Sequence, residues 1–172
     1  MTTQEVTKMA TQTTPVHSRS DAEAIAFLGE VCAIRLTSGQ TGGAVGVIEH
    51  LLPHGLATPL HLHAREHELF YVLEGQITVW TDGERNEATT GDVVWLPRGG
   101  AHAFRVDSER ARVLGLSVPG GHEQFFRLAG EPAGEFDLAA VGTVPPDMDR
   151  MAAAAAAADV EILGPPPFEI DV

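Results

Sequence analysis

From about residue 25 to residue 118, short runs of Val, Ile, Leu and aromatic residues alternate with clusters of turn formers. The runs are Val45–Leu52, Glu68–Leu73, Gln76–Thr81, Asp92–Leu96, His102–Val106 and Arg112–Val118. Between them stand Pro53, Gly55, Gly75, Asp82-Gly83, Gly91 and Pro97-Arg98-Gly99-Gly100, residues whose backbones preset or permit the dihedrals of turns. Short strands so regularly punctuated predict an all-β sandwich or barrel. Two runs, Leu69–Leu73 and Asp92–Leu96, are apolar on both alternating faces. One face can line an interior; the other needs a second sheet, a terminal segment or a partner subunit. With little chain to spare, the expectation is a homodimer.

After Pro119-Gly120-Gly121 the period changes. Phe125, Phe126 and Leu128 fall near helical spacing before Gly130 and Pro132, which predicts one short helix. Asp147 and Asp149 precede Met151 and the seven alanines Ala152–Ala158. Alanine has the highest helix propensity and acids suit a first turn, so a second helix is expected there, as a surface or packing element. Residues 159–172, with Gly164-Pro165-Pro166-Pro167, read as an irregular tail, and the polar, Thr-rich residues 1–20 as a flexible one. The expected organisation is a tail (1–20), a β-barrel with its following helix (21–130) and a C-terminal extension carrying the Ala-rich helix (131–172).

A chain of 172 residues suits one core with extensions. Its formal charge of −13, from 24 acidic and 11 basic residues, argues against nucleic acid and anionic membrane surfaces as partners. No run approaches the roughly 20 apolar residues that span a bilayer, and the N-terminus lacks the apolar segment of a secretory signal. Cys32 is the single cysteine, so no internal disulfide forms, and within VCAIRL it reads as a small buried hydrophobe. A soluble, cytoplasmic protein is expected.

The chemistry concentrates in PLHLHAREHE, residues 59–68, which hold three of the eight histidines. On a strand, residues i and i+2 face one way, so His61 and His63 present two imidazoles together. Glu68 opens the next run and shares a face with Phe70 and Val72. His102 begins a later run, shares its face with Phe104, and barrel closure would bring it opposite His61 and His63. Three neutral imidazoles and one carboxylate suit a first-row divalent ion such as Fe, Mn, Co, Ni, Cu or Zn, one per chain. Five- or six-coordination would leave positions open for water, substrate or dioxygen, as a catalytic site requires. Taken singly, a His-x-His pair is an ordinary strand feature, and Glu66 and Glu68 are ordinary loop charges.

Taken together, these residues resemble the cupin superfamily. Its first motif is a glycine, five residues, His-x-His, four residues, Glu, six residues and glycine, matched by Gly55, His61, His63, Glu68 and Gly75. The second, a glycine, five residues, Pro-x-Gly, two residues and His, is matched by Gly91, Pro97, Gly99 and His102. That motif usually ends in Asn, where Val106 stands here; the Asn is not a metal ligand in the family. The resemblance implies a jelly-roll β-barrel (double-stranded β-helix), with His61, His63, Glu68 and His102 around one metal.

Phe27–Gly29, Thr41–Gly43, Phe70–Gly75, Pro97–Phe104, Phe125–Arg127 and the terminal GPPPF narrow the likeness to bacterial single-domain cupins of the quercetin 2,3-dioxygenase type. This implies oxidative cleavage of an aromatic or enolic hydroxyl compound by dioxygen, with Glu68 accepting the hydroxyl proton. Two alternatives stand beside it: a non-oxidative metal-dependent isomerase, cyclase or decarboxylase, and a non-catalytic ligand-binding cupin. Phe70, Val72 and Phe104 are the expected substrate-pocket residues. His67 is expected on the surface or at an interface, His50, His54 and His122 in loops or on strand surfaces, and Trp80 and Trp95 in the core.

Overall fold

The computed structural model describes residues 16–140 and 147–168; of the expected tails, residues 1–15 and 169–172 lie outside them. Among the described residues twelve strands are present: β1 (Glu23–Phe27), β2 (Glu30–Leu36), β3 (Gly46–Pro53), β4 (Leu60–His63), β5 (His67–Glu74), β6 (Gln76–Thr81), β7 (Glu84–Thr89), β8 (Val93–Leu96), β9 (His102–Val106), β10 (Arg110–Val118), β11 (Glu131–Pro132) and β12 (Val160–Gly164). They form two antiparallel sheets, one in the order β11-β1-β2-β3-β10-β5-β8 and the other β12-β4-β9-β6-β7. Each expected run is a strand, with ends shifted by no more than two residues.

Alternation along the strands closes the sheets on each other. In β5, Glu68, Phe70 and Val72 are buried while Tyr71 is exposed. The main core joins Phe70, Val72 and Val113 of the larger sheet to Ile77, Val79 and Val106 of the smaller. This two-sheet sandwich is a jelly roll. Val106 is fully buried in that core, so the apolar residue at the end of the second motif is a packing element.

Gly75 shows why a motif position is glycine. It turns the chain from β5 into β6 with φ of +86°, and a Cβ there would run into the Arg110 carbonyl oxygen, so both dihedral and space exclude other residues.

A second cluster, Ile25, Cys32, Ile34, Ile48 and Phe126, packs the β1–β3 end of the larger sheet under helix α1 (Glu123–Ala129). Cys32 is fully buried, and burial pushes its thiol well above the ordinary range. Helix α2 (Met148–Ala157) starts at Asp147, whose carboxylate accepts the Arg150 N–H. It buries Met151, Ala154 and Ala155, an i, i+3, i+4 stripe. Arg150 donates to the Leu128 and Gly130 carbonyls at the end of α1, joining the two helices.

Three expectations need correction. Residues 160–164 of the expected irregular tail form β12, paired with β4 through Val160↔His63 and Ile162↔His61; the Gly-Pro run that follows masked a short alternating strand. Trp95 is not core: it is 54% exposed on β8, because it shares the outward row of that strand with Val93, while Leu96 turns inward. Strand β7, ERNEAT, was not foreseen, since only Ala88 of its six residues is buried. It forms because the Asp82-Gly83 turn, with φ of +52° and +85°, folds it back on β6. Among the described residues no helix is long and apolar enough to cross a membrane.

On the outer face of the larger sheet, Glu49 of β3 accepts Arg35 from β2 and Arg112 from β10, with N–O distances of 2.5 Å each. Burial disfavours its charge, but the two guanidiniums outweigh burial and hold its carboxyl below the usual range. A carboxyl lowered on folding stabilises the protein above its unfolded pKa and loses that contribution as pH falls through the folded one. The Tm deficit of Glu49→Gln should therefore be largest at about pH 7 and shrink toward about pH 3, a comparison that calorimetry of both proteins checks.

Candidate metal centre and cavity

The four expected ligands meet. One donor atom from each of His61, His63, Glu68 and His102 lies within 4.8 Å of all the others. His61 and His63 come from β4, His102 from β9 in register with His61, and Glu68 from β5 in the opposite sheet. The turn before β9 is tied to β4 where the Gly99 N–H donates to the His63 carbonyl at 2.9 Å, so the two motifs are held together by backbone.

Backbone carbonyls also set the imidazole tautomers. His61 Nδ1 lies 2.8 Å from the Pro59 carbonyl and His102 Nδ1 2.9 Å from the Gly100 carbonyl. A carbonyl only accepts, so each Nδ1 carries the proton and each Nε2 turns a lone pair to the centre. Glu68 Oε2 stands 3.5 Å from His63 Nε2 and 3.4 Å from His102 Nε2, and both of those nitrogens are buried without a hydrogen-bond partner. Burial, helped by the neighbouring rings of His102 and His63, lowers His61 to about 4. Glu68 is buried too, but the imidazoles around it outweigh that and hold its carboxyl well below the usual range.

The donor set therefore fits a metal ion. Ligand atoms about 2.0–2.2 Å from one ion lie about 3–4.4 Å apart, within a few tenths of an ångström of the spacing here. Each unpartnered buried lone pair otherwise costs about 1–3 kcal/mol.

The structure places three other residues differently from expectation. Glu66 is no surface charge: it is 3% exposed, with Oε2 3.9 Å from His63 Nδ1, because the turn after β4 folds it back over the strand. His122 is buried where α1 begins, its ring centroid 4.6 Å from that of His63. Burial and the facing His63 push it down to about 3. His50 lies on the inward row of β3, buried against Glu30. Sequence alternation could have flagged His50, since Ile48 and Leu52 flank it at spacing two. His54 and His67 fall as expected: His54 is exposed in a turn, and His67 stacks on Trp95 with centroids 5.0 Å apart.

A cavity of about 90 Å³ opens beside the cluster, and His61 and Glu68 line it. Of the expected pocket residues, Phe70 and Phe104 line it, packed edge to face at 5.6 Å. Val72 does not; it is fully buried in the core below, one rung further along β5. Sequence reading missed Met151, Val160 and Ile162, which wall the cavity from the C-terminal segment. His61→Ala should abolish metal binding by protein purified without a chelating tag, and elemental analysis checks it against full occupancy in the parent.

Residues 47–119 match a family model described as Cupin domain. The chain is 39% identical over 92 residues to quercetin 2,3-dioxygenase of Bacillus subtilis, covering 54% of this chain and 27% of that protein. It is 27% identical over 121 residues to quercetin 2,3-dioxygenase of Aspergillus japonicus, covering 66% and 35%. The chain thus spans about a quarter to a third of the length of these relatives. Among solved structures, a nucleoside dehydratase from Streptomyces shares the fold at a TM-score of 0.55 and 17% identity, over 65% of this chain and 88% of that one.

Proposed function

Since the chain belongs to the cupin superfamily and is similar to quercetin 2,3-dioxygenases, we propose that it is a metal-dependent dioxygenase acting on a small aromatic or enolic hydroxyl compound. The observation that carries this reading is the convergence of His61, His63, Glu68 and His102 beside a small apolar cavity. In it, these four residues hold one divalent transition ion, of the Fe, Mn, Co, Ni, Cu or Zn series.

The ion supplies Lewis acidity, lowering the pKa of a hydroxyl held beside it. Everything else falls to the chain. The carbonyls of Pro59 and Gly100 hold the Nδ1 atoms of His61 and His102 and aim their Nε2 atoms at the ion. Glu68, ionised at neutral pH, accepts the substrate hydroxyl proton on a carboxylate oxygen. Phe70 and Phe104 position an aromatic ring and exclude water. A cavity of about 90 Å³ favours a compact substrate over the contents of the larger pockets, roughly 300–1,000 Å³, that take drug-sized ligands. The reading extends to assembly: Tyr71, Val93 and Trp95 leave an apolar strip exposed on β5 and β8, and a second copy of the chain is its proposed cover.

Anaerobic reconstitution with Fe, Mn, Co or Ni, followed by an oxygen electrode with flavonols and simpler enols, tests the reaction. Oxygen uptake coupled to substrate loss is expected, reduced about 10²–10⁴-fold in Glu68→Gln. Absence of uptake with every metal would overturn the dioxygenase, and turnover that persists without oxygen would favour the non-oxidative alternative.

A further inference from the structure

The cavity has a second polar feature apart from the ligand cluster. Glu30, at the start of β2, and His50, inside β3, both line it. They are 7% and 8% exposed, and His50 Nδ1 lies 2.8 Å from Glu30 Oε2. A carboxylate oxygen accepts the Nδ1–H of the ring in this bond, which leaves Nε2 without a partner in the pair.

The neighbouring strand makes room for that ring. Gly115 of β10 sits between Ile48 of β3 and Phe70 of β5. Its φ is not positive, so the backbone does not demand glycine. A Cβ there would lie 3.2 Å from His50 Nε2, so the missing side chain leaves the imidazole room beside β10.

The pair is not needed to join its strands, which are already in continuous register through Val31↔Leu51 and Cys32↔His50. A polar pair in an apolar wall costs desolvation that aliphatic packing would avoid. Such a pair belongs where a ligand uses it.

We propose that Glu30 and His50 form a second polar anchor of the cavity, where His50 Nε2 makes a hydrogen bond with a hydroxyl of the bound molecule. The substrate class follows: two hydroxyl groups on one apolar body, one for Glu68 and the ligand cluster, the other for His50. This rests on the cluster holding the first hydroxyl. Burial disfavours charge on His50, yet the Glu30 carboxylate outweighs it and raises the pKa of the ring.

With zinc-loaded full-length protein kept free of oxygen, which withholds the co-substrate of the proposed reaction, calorimetry can compare phenol with catechol, resorcinol and hydroquinone. At least one diphenol should bind about tenfold more tightly than phenol, the worth of one good hydrogen bond. In His50→Phe that advantage should fall to about twofold or less, while phenol affinity stays within about threefold. Glu30→Gln, which keeps the shape of the pair, should weaken the advantage and serves if His50→Phe does not fold. In the parent protein the His50 Nε2 nitrogen resonance should shift with the diphenol and not with phenol. A diphenol advantage that survives in the variants, or that is missing from the parent, overturns the anchor. The His61→Ala variant separates the two readings. If it keeps zinc, the cluster assignment fails; if it loses zinc while the His50 variants leave diphenol binding unchanged, the anchor alone fails.

Discussion

Imidazole lone pairs and an ionised carboxylate, buried in an apolar interior, must be satisfied by something, and the fold is organised around that demand. Three rings reach the cluster from β4 and β9, and the carboxylate crosses from β5 in the facing sheet. Neither sheet supplies the set alone. The carbonyls of Pro59 and Gly100 take the outer nitrogens, and the Gly99 N–H pins the second motif to the end of β4. The inward Nε2 atoms are left with no protein partner but a nearby carboxylate, the condition in which an ion stabilises rather than strains a site.

The space beside the cluster is built by segments remote from the two motifs. Ile162 and Val160 arrive on β12, Met151 on α2, and Phe125 and Phe126 on α1. The barrel motifs thus supply donors, while the C-terminal segment supplies much of the wall. The fold is shared with a dehydratase, and one fold can host different chemistries according to the residues that line its site. In this chain those walls are apolar apart from a few groups, among them the hydrogen-bonded pair of Glu30 and His50.

Most of the barrel was legible in the sequence because period-two alternation and Gly or Pro turns are local signals. Strand β6 ran over Gln76–Thr81 and β9 over His102–Val106, as read. Strands failed to show where the local signal was weak: β7 is polar because its outer face meets water, and β12 is short and followed by prolines. Both exist because a neighbouring strand offered unpaired backbone groups, a reason that lies outside their own residues.

The candidate site divides in the same way. His61, His63, Glu68 and His102 could be named from spacing, since a strand's two-residue period and fixed turn lengths carry positions into register without knowledge of packing. Glu66 and His122 could not, because whether a lone polar side chain faces water or the interior depends on which sheet, helix or turn closes over it; His50 could, from Ile48 and Leu52 at spacing two. The exposure of Trp95 and the withdrawal of Val72 from the cavity were settled by the same closure. Sequence by itself determined the donor set and the strand framework that presents it. Tertiary structure alone decided the cavity, its walls and its second polar end, because these are made where distant segments meet.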